Sequence, residues 1–190
     1  MRNILSALFT SCFVLFTLVS IGQGKESMTI EEPFDGLKVF GPFELEIVTQ
    51  ESGPTTVDIE YTNIDRDQFE AKVEKGTLSF KLKTPKIKDL SIKVKVTTTG
   101  VKHLQTGAGG AIFSNEMLYA DFMVMKANSG GSIEASISVD RLDLKITQGA
   151  ECRLTGDAKK GVLEANTGGF IDLSGFDAEE LEVESNTGAE

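Results

Sequence analysis

The sequence predicts an all-β protein: a right-handed parallel β-helix, a solenoid of roughly 20-residue rungs, with an irregular or antiparallel β portion at its start. Three observations lead there. Apolar residues recur at Leu104, Met125, Leu144, Leu163 and Val183, and again eight residues later at Ile112, Ile133, Cys152 and Ile171. A glycine stands between the two columns each time, at Gly109, Gly130, Gly149, Gly168 and Gly188. Upstream, apolar and polar residues alternate strictly, and no stretch sustains a helical period.

Residues 1–22 read as a signal peptide. Arg2 gives the positive start, an apolar run extends from Ile4 to Ile21, and Ser20-Ile21-Gly22 supplies small residues for cleavage after Gly22, with cleavage after Gly24 as the alternative. Phe9-Thr10-Ser11 is a poor lead-in for lipid attachment at Cys12, so removal of the whole segment is expected. Residues 23–190 then form a single domain, with no dedicated membrane span after cleavage.

The formal net charge is −10, and −11 once Arg2 is removed. Such an acidic exterior argues against DNA, RNA or anionic lipid as the main partner. The exported chain retains one cysteine, Cys152, so packing and strand hydrogen bonds must supply its stability. Cys152 sits in a column otherwise filled by isoleucine and is expected to be a small buried hydrophobe.

Between residues 34 and 99 the alternating strands run in order. Leu37 and Val39 mark the first, and Phe43, Leu45 and Ile47 the second. Val57, Ile59 and Tyr61 follow, then Ala71 and Val73, then Leu78, Phe80 and Leu82, and last Leu90, Ile92, Val94 and Val96. Gly41-Pro42 and Gly53-Pro54 punctuate the early strands as turns. From residue 101 to 190 the repeat takes over. Each corner glycine is followed by a small residue: Gly110, Gly131, Ala150, Gly169 and Ala189. Asn128, Asn166 and Asn186 stand two places before it, as turn-forming side chains do. The competing architecture, a sandwich of hairpins, gives no reason to repeat one corner glycine five times.

Phe34-Asp35-Gly36-Leu37-Lys38-Val39 and Gly41-Pro42-Phe43-Glu44-Leu45-Glu46-Ile47 form an opening strand pair. The glycine-rich corner Leu104-Gln105-Thr106-Gly107-Ala108-Gly109-Gly110-Ala111-Ile112 is echoed by Asn128-Ser129-Gly130-Gly131-Ser132-Ile133. On these segments the chain resembles the bacterial family described as putative auto-transporter adhesin, head GIN domain. The likeness spans nearly all of residues 23–190. It implies a secreted right-handed β-helix with an irregular β start and an adhesive role, and it brings no catalytic residues. The family pattern continues with further strands and a closing corner, whereas this chain stops at Glu190 in mid-rung. An open last rung exposes unpaired backbone groups, so self-association through that end is one expected partner route.

One set of residues offers enzyme-like chemistry. Glu134, Arg153 and Asp172 share an outward column on successive rungs, as carboxylates flanking a cation do in polysaccharide-acting β-helix enzymes. The stronger reading is a charge ladder that avoids stacking like charges on an exposed sheet. His103, the lone histidine, has no Ser, Cys or second His at useful spacing. The corners lack the aspartates of a calcium repeat, and Gly107-Ala108-Gly109-Gly110 has no helix behind it to cradle a phosphate. Nine lysines fall within residues 72–102, where Lys81, Lys83, Lys93 and Lys95 read as guards of exposed strands. With no tryptophan and two tyrosines, stacking on sugars is poorly supported.

The expected function is therefore an exported, non-catalytic cell-envelope or surface protein, an adhesin or scaffold with a protein or glycan partner. No catalytic residue, cofactor or metal site is expected, and the five corner glycines are structural. A polysaccharide-acting enzyme and a periplasmic binding or assembly module are the alternatives.

Overall fold

The computed structural model describes residues 23–83 and 89–189. The expected signal peptide, Lys86, Lys88 and Glu190 lie outside the described residues. Alternating sequence becomes strand throughout: β1 (Gln23–Ile30), β2 (Gly36–Phe40), β3 (Phe43–Thr49), β4 (Thr55–Thr62), β5 (Phe69–Glu74), β6 (Thr77–Leu82) and β7 (Ser91–Thr98). β8 (His103–Gly107) leads into four long strands: β9 (Ala111–Ala127), β10 (Ser132–Thr147), β11 (Glu151–Asn166) and β12 (Phe170–Asn186). β1 falls before the first strand that the pattern predicts.

The expected right-handed parallel β-helix, which the family resemblance also implied, is overturned. All twelve strands join one mixed sheet, curled as a half-barrel. Its main hydrogen-bonded path runs β1-β4-β7-β3-β9-β8-β2-β6-β5, and β10, β11 and β12 follow off β9. The steps β1–β4, β4–β7 and β5–β6 are antiparallel. The early strands are not a separate portion ahead of a coil, because β2 and β3 pair in parallel with β8 and β9 inside the same sheet. Alternation of apolar and polar residues marks a half-buried strand in either direction, so the sequence pattern could not fix strand polarity.

Each long strand has two arms. The first arm of β9 lies on β3 and its second arm on β8. Register shifts interrupt the first arms: the β9–β10 register shifts between Ala135 and Ser136, and the β11–β12 register between Arg153 and Thr155. The two apolar columns are in register across the strands. Ile112, Ile133, Cys152 and Ile171 are successive Cα partners in the first arms. In the second arms the row runs Val73, Leu78, Leu37, Leu104, Met125, Leu144, Leu163 and Val183. All of these residues except Val183, which is 57% exposed, lie in or against one core, whose largest side chains include Phe43, Phe69 and Phe80. The Phe69 ring meets Phe43 edge-on at 6.2 Å and Tyr61 at 5.2 Å.

The corner glycines sit in two-residue turns. Ala108-Gly109, Ser129-Gly130, Gln148-Gly149, Thr167-Gly168 and Thr187-Gly188 all have positive φ at both positions. One bond closes the first four: Gly110 N–H to Gly107 C=O at 3.2 Å, Gly131 to Asn128 at 2.9 Å, Ala150 to Thr147 at 3.3 Å and Gly169 to Asn166 at 3.1 Å. This is type I′ geometry, which demands a residue tolerant of positive φ. Space is not the reason for glycine at the second turn position, since an added Cβ at Gly109, Gly130, Gly149, Gly168 or Gly188 meets nothing within 4 Å. Corners also bond to one another: Gly109, Gly130, Gly149 and Gly168 each donate N–H to the next corner, at 3.1–3.2 Å. Inside the corner, Thr106 is 1% exposed and its hydroxyl donates to Gly110 C=O at 2.7 Å, so the buried group is satisfied.

Candidate functional site

Outward side chains define two faces, one on the first arms and one on the second. On the first-arm face one row reads Ser27, Asp58, Lys95, Glu46, Phe113, Glu134, Arg153 and Asp172 across eight neighbouring strands. The row beside it begins Lys25, Glu60, Lys93, Glu44. Signs alternate along both, so each charge has an opposite neighbour one strand away. The Lys25 ammonium lies 2.6 Å from the Glu60 carboxylate, and Ser27 donates to Asp58.

Glu134, Arg153 and Asp172 do occupy one outward column, but Arg153 and Asp172 are each engaged locally. Arg153 Nη2 pairs with Glu151 at 3.0 Å, and its guanidinium lies 5.8 Å from the Phe170 ring centre. Asp172 Oδ1 accepts from Ser174 N–H at 2.9 Å. That backbone bond, helped by the Ser174 hydroxyl, holds the Asp172 carboxyl below its ordinary range, with Arg153 adding a smaller pull. A proton donor for glycosidic cleavage needs the opposite shift. The column's chemistry is that of a charge ladder.

The second-arm face is organised differently. Its central row reads Lys72, Ser79, Lys38, Gln105, Lys126, Lys145, Glu164 and Glu184. Here the cations gather on one side and the acids on the other. Lys145 bonds Glu164 at 2.7 Å, Lys72 bonds Glu74 at 2.6 Å, and Lys81 lies 3.3 Å from Glu70. Lys38, Lys75 and Lys126 form no ion pair among the described residues. Phe40, in register with Lys81 and Gly107, is 51% exposed in the row alongside. The sequence reading missed Phe40 as a surface aromatic. Its signal was present, since Lys38 and Phe40 share the parity opposite to Leu37 and Val39.

The remaining expectations resolve simply. Cys152 is a free thiol with no exposure, and burial pushes its pKa far above the usual range, so it is no nucleophile. His103 is exposed and meets the Phe122 ring edge-on at 6.3 Å. Among the described residues no cluster of three His, Cys, Asp or Glu side chains could hold a metal ion. No helix among them is long and apolar enough to cross a membrane.

Comparison with known proteins places this geometry. A structure named as a putative adhesin from Bacteroides fragilis shares the fold with a TM-score of 0.78 at 15% identity, over 87% of this chain and 77% of that one. A putative adhesin from Parabacteroides merdae gives 0.68 at 15% identity, over 87% and 78%. A structure named as a putative lipid binding protein from Parabacteroides distasonis gives 0.61 at 16% identity, over 85% and 78%. At these identities the likeness is one of fold. No protein of curated function matches the chain. Residues 33–190 match one family throughout, and the chain belongs to it: the putative auto-transporter adhesin, head GIN domain family.

Proposed function

We propose that this is an exported, non-catalytic protein of the cell envelope that presents a stiff β surface to a partner, as an adhesin or scaffold. The observation that carries the reading is that Arg153 and Asp172, beside Glu134 on an open sheet face, are taken up in contacts of their own rather than converging on a site. Membership of a family described as adhesins supports it, as does a core continuous through both arms, which holds the outward side chains in fixed rows. The apolar run at Ile4–Ile21 supports export.

Two measurements test this. Incubation with acidic and neutral glycans should give no turnover, and turnover that disappears in Asp172→Asn would replace the reading with the enzymatic one. Protease treatment of intact cells should cleave the protein. Protection until the outer envelope is opened would make it a periplasmic binding or assembly module instead.

A further inference from the structure

We infer that the outer side of β2, β5, β6 and β8, continued by Lys126 of the adjoining β9, is a binding groove for an extended anionic polysaccharide bearing carboxylates along its length. The inference rests on the surface-binding reading above and names the site and ligand class for it. An open groove of about 940 Å³ is lined by Lys38, Phe40, Lys72, Lys75, Lys81 and Gln105. Four lysines face one acid, Glu74, within it. Glu74 and Glu70 answer Lys72 and Lys81, which leaves Lys38 and Lys75 as uncompensated positive charge among the described residues.

Spacing points to a chain-like ligand. Lys72, Lys38 and Lys126 stand on every second strand of one row, separated by the uncharged Ser79 and Gln105. Neighbouring strands lie about 4.8 Å apart, so these lysines recur about every 10 Å. A polymer that carries a carboxylate on alternate residues can match such a row, with its hydroxyls on the serine and the amide between.

Phe40 supplies the second element of sugar recognition. Its ring lies against Gly107, where an added Cβ would come within 3.3 Å, and about half of the residue remains open to solvent. An aromatic face beside an ammonium group suits a sugar ring with a carboxylate on its edge. A bilayer is a poorer fit. Anchoring there needs a broad apolar face, and Phe40 is the one exposed large hydrophobic residue in the groove. The overall charge of −10 does not forbid an anionic ligand, because salt screens acids more than about 8 Å away at physiological ionic strength.

The test uses the full chain and three probes: polygalacturonate, neutral dextran, and phosphatidylglycerol vesicles. Binding should be seen with polygalacturonate and should weaken as salt is raised. The double variant Lys38→Gln/Lys126→Gln should lose about five- to tenfold in affinity, the range expected for two exposed charge contacts. Phe40→Ala should also weaken binding while leaving the salt dependence unchanged. Lys93→Gln/Lys95→Gln, on the other face, should leave it unaltered. Thermal melts of each variant report folding. Absence of polygalacturonate binding, full affinity in the double variant, preference for the vesicles, or retention that tracks self-association of the protein overturns the inference. Any of these combined with protease cleavage on intact cells refutes the groove and leaves the surface reading standing.

Discussion

Along one outward row Asp58, Lys95 and Glu46 change sign at every strand, while along the other Lys72, Lys38, Lys126 and Lys145 gather on one side and acids appear only at Glu164 and Glu184. The same sheet carries both rows. On the first-arm face each charge in these rows has an opposite charge as its register partner one strand away. On the second-arm face positive charge remains unanswered beside an exposed ring. Identical strand geometry thus produces a row of alternating charge and a row of segregated charge, and side-chain sequence alone decides which.

The largest test asks whether the arms that carry these faces are one structure. Ile133→Ala in a first arm and Leu144→Ala in a second should each cost about 2–5 kcal/mol in urea unfolding, within one cooperative transition. Two separate transitions would break the comparison into two independent bodies. Next comes charge reversal on the alternating face. Lys95→Glu places a third acid between Asp58 and Glu46 and should cost about 1 kcal/mol. The same kind of change on the other face should act in the opposite sense. Lys126→Glu sets an acid beside Lys145 and should stabilise by about 0.3 kcal/mol; a loss there would show that the positive row is internally balanced.

The smallest effect concerns pH. A hydrogen bond from Lys145 is the largest influence on the Glu164 carboxyl and, with the Lys145 charge and a bond from Asn166, holds it below its ordinary range against the opposing effect of desolvation. A carboxyl depressed in the folded state contributes stability that is present above its unfolded pKa and lost as pH falls through the folded one. The wild-type advantage over Glu164→Gln should therefore be seen at neutral pH and fade with acidification. A difference that grows in acid would contradict the assigned contacts.

How much of this was legible depends on which physical feature leaves a trace in a one-dimensional pattern. The corner turns were legible because positive φ selects glycine, and the repeat of Gly109 through Gly188 marks where the backbone must adopt it. The apolar columns were legible because in-register strands bury equivalent residues. Strand direction was not. Lys75-Gly76 has the same pair of positive φ values as the corners, yet it joins β5 and β6 as an antiparallel hairpin, with Glu74 opposite Thr77. At the corners the flanking strands instead bond to other layers: Asn128 N–H reaches Thr106 C=O and Ser132 N–H reaches Gly110 C=O. One turn motif therefore serves two topologies. The Glu134, Arg153 and Asp172 column was legible from the repeat, whereas the lysine row was hidden for a related reason, since Lys38 and Lys126 become second neighbours only through the pairing of β2, β8 and β9.

Cys152 lies between Ile133 and Ile171 in the first-arm row, inside the sheet and closed to solvent. A thiol so placed reacts with an alkylating reagent only when β11 parts from its neighbours. The protein therefore carries its own clock for breathing: the rate at which native molecules take up one label counts how often the β10–β11–β12 end of the sheet comes open.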